Sequence, residues 1–205
     1  GCLVFFVSLM LILTSCKNTN GRFVKLDAEK TNVHFSNDIS ESDTVNIFDF
    51  ANVYNGGGVG MGDFNNDGLL DLYFTGNMVP NKLYLNRGKF IFEDITSVSQ
   101  TEGKGVWSRG VAVIDINNDG LMDIYVCATA KKDPQQRKNI LYVNQGLNNN
   151  GIPVFRDMAG EYGIADTTQS TMAYFFDYDN DGDLDLYIGV NHIIKEDYAK
   201  DRKST

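Results

Sequence analysis

One eleven-residue stretch occurs three times in this chain, so the fold must be able to use it three times. Asp63-Phe-Asn-Asn-Asp-Gly-Leu-Leu-Asp-Leu-Tyr73 returns as Asp115-Ile-Asn-Asn-Asp-Gly-Leu-Met-Asp-Ile-Tyr125 and again as Asp177-Tyr-Asp-Asn-Asp-Gly-Asp-Leu-Asp-Leu-Tyr187. The likeness runs on past the loop. Asn81-Lys-Leu-Tyr-Leu-Asn-Arg-Gly88 matches Asn139-Ile-Leu-Tyr-Val-Asn-Gln-Gly146, and Phe92-Glu-Asp-Ile95 matches Phe155-Arg-Asp-Met158. What repeats is therefore a whole supersecondary unit rather than a short motif. The loop starts lie 52 and then 62 residues apart, and the extra residues fall between the conserved segments, where connections tolerate insertion.

Alternation of apolar and polar residues predicts four short strands per unit: Val59–Phe64, Asp71–Thr75, Lys82–Leu85 and Phe90–Ile95 in the first copy. Four strands in a unit of this length, with no helical crossover, describe a propeller blade. The expected fold is thus an all-β propeller of four-stranded blades with calcium-binding hairpin loops. About three blades lie within residues 23–205, and because propellers have four to eight blades the chain reads as part of a longer one. Phe23-Val-Lys-Leu26 resembles the outer-strand segments and is expected to form the outer strand that closes the ring.

The repeated loops have the chemistry of a hard-cation site. Positions 1, 3, 5 and 9 are Asp63, Asn65, Asp67 and Asp71, then Asp115, Asn117, Asp119 and Asp123, then Asp177, Asp179, Asp181 and Asp185. Side-chain oxygens at that spacing converge on one point, and the carbonyls of Leu69, Leu121 and Asp183 are expected as further ligands. Gly68, Gly120 and Gly182 sit where the turn is sharpest. An EF-hand would place Glu at position 12, but Phe74, Val126 and Ile188 stand there, so helices do not frame the loop. Clustered carboxylates repel one another unless a cation neutralises them. About three Ca2+ ions are expected, held most tightly at Asp177, whose loop offers four carboxylates where the others offer three.

The apolar run Cys2–Leu13 is too short to span a bilayer and ends in Leu13-Thr14-Ser15-Cys16, which resembles the lipobox of bacterial lipoproteins. Residues 1–15 are expected to be a signal peptide and 16–22 a lipidated Cys16 with its linker. By the same resemblance Lys17, which is not an acidic retention-type residue, implies the outer membrane, so the expected location is the bacterial envelope with a lipid anchor as the sole membrane contact. Cys127 lies in an alternating segment and is expected to be a small buried hydrophobe.

On these loops, each followed by Leu/Ile-Tyr, the sequence resembles the FG-GAP/VCBS repeat proteins from about Phe23 to His192, and most of all their ASPIC/UnbV (cartilage-acidic-protein-like) branch found in bacterial lipoproteins. The resemblance implies a propeller, typically seven-bladed and related to the integrin α-chain head, with calcium held between the first two strands of a blade.

Function follows by elimination. A net charge of −9 opposes nucleic acid or an anionic membrane surface as partner. His34 and His192 are the two histidines, no nucleophile or phosphate-cradling motif is present, and the metal reading already uses the repeated carboxylates. The expectation is a binding or adhesion scaffold for a protein or glycan and not an enzyme; the alternative is a component of an extracellular glycan-processing system. Strand direction places the acidic loops on one face and the more variable connections on the other. The partner is therefore expected opposite the calcium loops, at Trp107, Arg109 and Tyr162.

Overall fold

The computed structural model describes residues 23–43, 45–48 and 53–191. The expected signal peptide, Cys16, the linker 16–22 and His192 lie outside the described residues. Within them the chain is all-β and propeller-like. Strands β1 (Val59–Gly62), β2 (Asp71–Phe74), β3 (Lys82–Asn86) and β4 (Phe92–Asp94) form one antiparallel sheet in sequence order, which is blade 1. Strands β5 (Trp107–Ile114), β6 (Asp123–Thr129), β7 (Ile140–Leu147) and β8 (Pro153–Asp157) form blade 2 in the same order. A hairpin of β9 (Ser170–Phe176) and β10 (Asp185–Val190) begins a third copy. Helices α1 (Ala28–Thr31) and α2 (Thr96–Ser99) and a 3-10 turn at Pro134–Arg137 are short connectors.

Register repeats with the sequence. Gly62 faces Asp71, Ile114 faces Asp123 and Phe176 faces Asp185, so each acidic loop springs from the same rung of its hairpin. Side-chain alternation then assigns the two sides of each sheet. Tyr73, Leu83 and Leu85 of blade 1 meet Ile124, Val126, Tyr142 and Phe155 of blade 2 in one buried cluster. A second cluster, with Tyr125, Cys127, Leu141 and Val143, occupies the opposite side of blade 2 and receives Ala173, Phe175 and Leu186. Packed on both sides, β6 is buried along its whole length. Each side chain so enclosed contributes about 2 kcal/mol, which makes the blade junctions the main source of stability. Cys127 is fully buried there as expected, and burial pushes its thiol up to about 12.

The innermost strands approach so closely that a Cβ on Gly58 would lie 2.8 Å from the Arg109 carbonyl, and one on Gly110 would lie 2.4 Å from the Thr171 carbonyl. So close an approach leaves no room for a side chain at the entry to either strand. Phe23–Leu26 is exposed and pairs with no strand among the described residues, and none of them supplies the blade it was expected to join.

A buried polar latch recurs at both junctions. Asn81 takes the Gly76 amide at 2.9 Å and donates to the Tyr73 hydroxyl at 2.8 Å, which donates to the Thr101 carbonyl. In the next copy Asn139 takes the Ala128 amide at 2.7 Å and donates to the Tyr125 hydroxyl at 3.0 Å, which donates to the Ile164 carbonyl. Burial raises both phenols, so they remain neutral hydroxyls able to donate and accept together. Each latch holds the connection leading to the next blade against the two middle strands of the blade it leaves.

Candidate functional site

The three acidic loops fold almost identically because the same side chains cap the same amides. Asp63 accepts the amides of Asp67 at 3.0 Å and Gly68 at 2.7 Å, Asp67 accepts that of Leu69, and Asp71 accepts that of Phe64. Asp115, Asp119 and Asp123 repeat every contact with Asp119, Gly120, Leu121 and Ile116. Asp177, Asp181 and Asp185 do so with Asp181, Gly182, Asp183 and Tyr178. Gly68, Gly120 and Gly182 have φ of 85°, 84° and 93°, the left-handed region that an L side chain avoids.

The ninth position closes the loop. Asp71 and Asp123 are fully buried, and their second oxygens accept the amides of Asn86 and Asn144 at 2.8 Å. Burial pushes each carboxyl up to about 6, the backbone donors pulling the other way and the neighbouring Asp67 and Asp63, or Asp119 and Asp115, adding repulsion. Asp183 is also raised, first by the charge of Asp181. Such a set is short of positive charge. In the third loop, oxygens of Asp177, Asp179 and Asp185 lie within 4.8 Å of one another. An all-oxygen, mostly carboxylate donor set fits a hard divalent cation.

The first two loops are also tied together across the junction. Asn66 donates to the Gly120 carbonyl at 3.2 Å, and Asn144 donates to the Phe64 carbonyl at 2.9 Å. Asn86 and Asn144, visible in the sequence only as matched positions of the repeat, thus orient the buried carboxylates, and Asn144 joins the blades as well.

The expected partner residues separate. Trp107, 6% exposed, forms part of a cleft of about 280 Å³ between blades 1 and 2, on the face away from the acidic loops. Arg109 stands half-buried two residues along β5, its guanidinium pKa lowered by burial and its side chain without an ion pair among the described residues. Tyr162 does not join them. The turn in which Tyr162 and Gly163 bond to Met158 and Gly160 lays its ring along the flank of blade 2, beside Asn117 and Asp119, in a hollow of about 370 Å³. Placing Tyr162 on the Trp107 face is thus corrected: its connection starts at that end, but its side chain is carried back toward the second acidic loop.

Residues 63–126, which run from the first loop through most of β6, match the family described as FG-GAP-like repeat. Cartilage acidic protein 1 of Xenopus tropicalis is 30% identical over 138 residues, which is 66% of this chain and 20% of that protein. The proteins of the same name from Mus musculus and Homo sapiens are 26% and 27% identical over 136 residues, each 65% of this chain and 20% of the relative. The chain therefore spans about a fifth of the length of these relatives. Its loops, its blades and these matches together make residues 63–126 similar to an FG-GAP-like repeat, and about two thirds of the chain similar to part of the cartilage acidic proteins.

Proposed function

We propose that this chain is a calcium-stabilised propeller scaffold, anchored to the bacterial envelope through Cys16, that binds a protein or glycan partner on the face away from its acidic loops. The observation that carries the reading is one pattern of carboxylate–amide bonds that recurs in all three loops, with oxygens of Asp177, Asp179 and Asp185 in the third within 4.8 Å of one another. Asp63, Asn65, Asp67 and Asp71 and their counterparts would hold the ions, with the carbonyls of Leu69, Leu121 and Asp183. A bound cation supplies fixed positive charge that cancels the repulsion within each loop. The ties from Asn66 and Asn144 would carry that gain into the first blade junction. The repeat match and the relatives support a binding scaffold rather than an enzyme.

Extracellular calcium modules bind around 10⁻⁴ to 10⁻³ M, so about 1 mM calcium would add roughly 1 kcal/mol per site at the tighter end. Three such sites raise Tm by roughly 10 °C. Thermal unfolding of the full chain with calcium and with chelator measures this, and equilibrium dialysis counts the ions. An unchanged Tm with no bound calcium would overturn the metal part. Mass spectrometry of the mature protein reads the anchor: diacylglyceryl on Cys16 supports it, and an intact Gly1–Ser15 segment refutes it.

A further inference from the structure

We propose that the cleft between blades 1 and 2 is a peptide-binding site that takes an apolar side chain flanked by a carboxylate, from an acidic segment of a partner protein. The proposal rests on the scaffold reading and specifies what that face recognises.

At the second junction polar side chains occupy the matching positions and bond to the connections on either side. At the second junction Arg137, counted back from Asn139 as Val79 is from Asn81, donates to the carbonyls of Thr167, Lys131 and Lys132 at 2.6 to 2.8 Å. Gln169, which stands where Trp107 does, accepts from the Thr129 hydroxyl and the Ala130 amide at 2.9 and 2.7 Å. Those bonds draw the connections together. At the first junction Val79 and Trp107 occupy these places, and with Met78, Pro80 and Val106 they leave an apolar space of about 280 Å³, room for one large side chain.

Its walls are held without an occupant. Asn77 donates to the carbonyls of Ser108 at 2.8 Å and Gly56 at 3.3 Å, and its amide donates to Asn37 at 2.9 Å. Across the cleft the Gly103 amide donates to the Tyr142 hydroxyl at 3.0 Å. Preformed walls spare a ligand the entropy of ordering them.

Charge identifies the ligand's other half. The chain carries −9, yet among the described residues no acidic one lines the cleft, while Lys104 and Lys131 do. Lys104 reaches Glu102 at 3.0 Å but is 78% exposed and can swing, and Lys131 has no ion pair among the described residues. Two cations above an apolar space select an anionic group attached to an apolar one, against the repulsion of the rest of the surface. A uronate sugar fits poorly, because it is polar all round and Trp107, at 6% exposure, offers no open ring face for stacking.

Trp107 is the chain's one tryptophan and reports directly on the cleft. The test titrates the full chain, in calcium, with acetyl-Leu-Asp-Leu-Glu-amide and with its neutral counterpart acetyl-Leu-Asn-Leu-Gln-amide, following Trp107 emission. A saturable change is expected with the acidic peptide, at least about tenfold weaker with the neutral one and in Lys131→Gln. Val79→Arg, which imports the side chain that spans the second junction, is expected to abolish it, with far-ultraviolet dichroism and the calcium-dependent Tm checking the fold. Equal binding of both peptides, indifference to Lys131→Gln, or stronger binding of oligogalacturonate would each overturn the proposal. A partner found elsewhere on this face with no peptide in the cleft defeats the cleft and leaves the scaffold standing. Peptide binding without any calcium effect on Tm does the reverse for the metal.

Discussion

The junction between blades 1 and 2 and the junction between blade 2 and the β9–β10 hairpin are built from the same parts and finished differently. Both use an asparagine-tyrosine latch on the incoming connection. At the second, Asn139 also donates to the Ser170 hydroxyl at 3.0 Å, which in turn donates to Asp166 at 3.1 Å. At the first, the matching Ser108 hydroxyl is buried and meets no partner among the described residues. The matching acid is Glu102, whose carbonyl receives the Asn81 amide as Asp166 receives that of Asn139. Its longer side chain extends to Lys104 instead of turning back to the serine. A longer acid, set six residues before its serine instead of four, thus accompanies the open polar chain. The open chain lies beside the apolar cleft, so the first junction gives up polar cross-links where it gains a cavity.

The largest test of this contrast is to remove the latches. Asn139→Ala leaves the Ala128 amide without its acceptor and removes one bond each from the Tyr125 and Ser170 hydroxyls, and is expected to cost about 3 kcal/mol in denaturant unfolding. Asn81→Ala removes one bond fewer and is expected to cost about 1 kcal/mol less. Equal losses would mean that Ser170 contributes nothing to the second latch.

The serines give a smaller and sharper difference. Ser170→Ala is expected to destabilise by about 1 to 2 kcal/mol, whereas Ser108→Ala removes a buried hydroxyl that has no partner and is expected to be neutral or stabilising. A loss at Ser108 equal to that at Ser170 would break the comparison outright. Repairing the first junction is the converse experiment. Glu102→Asp shortens the acid to match Asp166 and is expected to gain up to about 1 kcal/mol, and that gain should vanish in the Ser108→Ala background. Smallest of all are the surface ion pairs beside the outer strands, Lys82 with Asp94 in blade 1 and Arg156 with Glu161 in blade 2. Lys82→Met and Arg156→Met should each shift stability by less than about 0.5 kcal/mol, with no difference between blades.

Much of the architecture was legible in the sequence because repetition and alternation are local signals. The first-copy strands were expected at Val59–Phe64 and Lys82–Leu85 and occur at Val59–Gly62 and Lys82–Asn86. The fold of the acidic loops was legible too, since each Asp caps amides within seven residues of itself. The latch was not. Asn81 and Asn139 showed as matched positions, but their partners Thr101 and Ile164 are reached only through a tyrosine on another strand. Alternation says which side of a sheet a residue faces and not what it will meet there. Tyr162 failed for a related reason: its connection was placed at the correct end, but a tight turn at Met158–Gly163 redirects the side chain, and turn geometry was not part of the strand-direction argument.

The near-contact of the innermost strands also bears on how such a chain can curve. With Gly58 against the Arg109 carbonyl and Gly110 against the Thr171 carbonyl, backbone touches backbone on the inner side of each step. The separation there is the hinge line about which one blade is set at an angle to the next, while side-chain volume in the outer strands sets the opening of the wedge. In a repeating assembly a small rotation per unit decides the shape of the whole, because every step adds its error to the last. A methyl group at either glycine would move the hinge line outward and narrow the wedge. A ring assembled from such steps would then have an angular gap at its seam, although every blade within it was correctly folded.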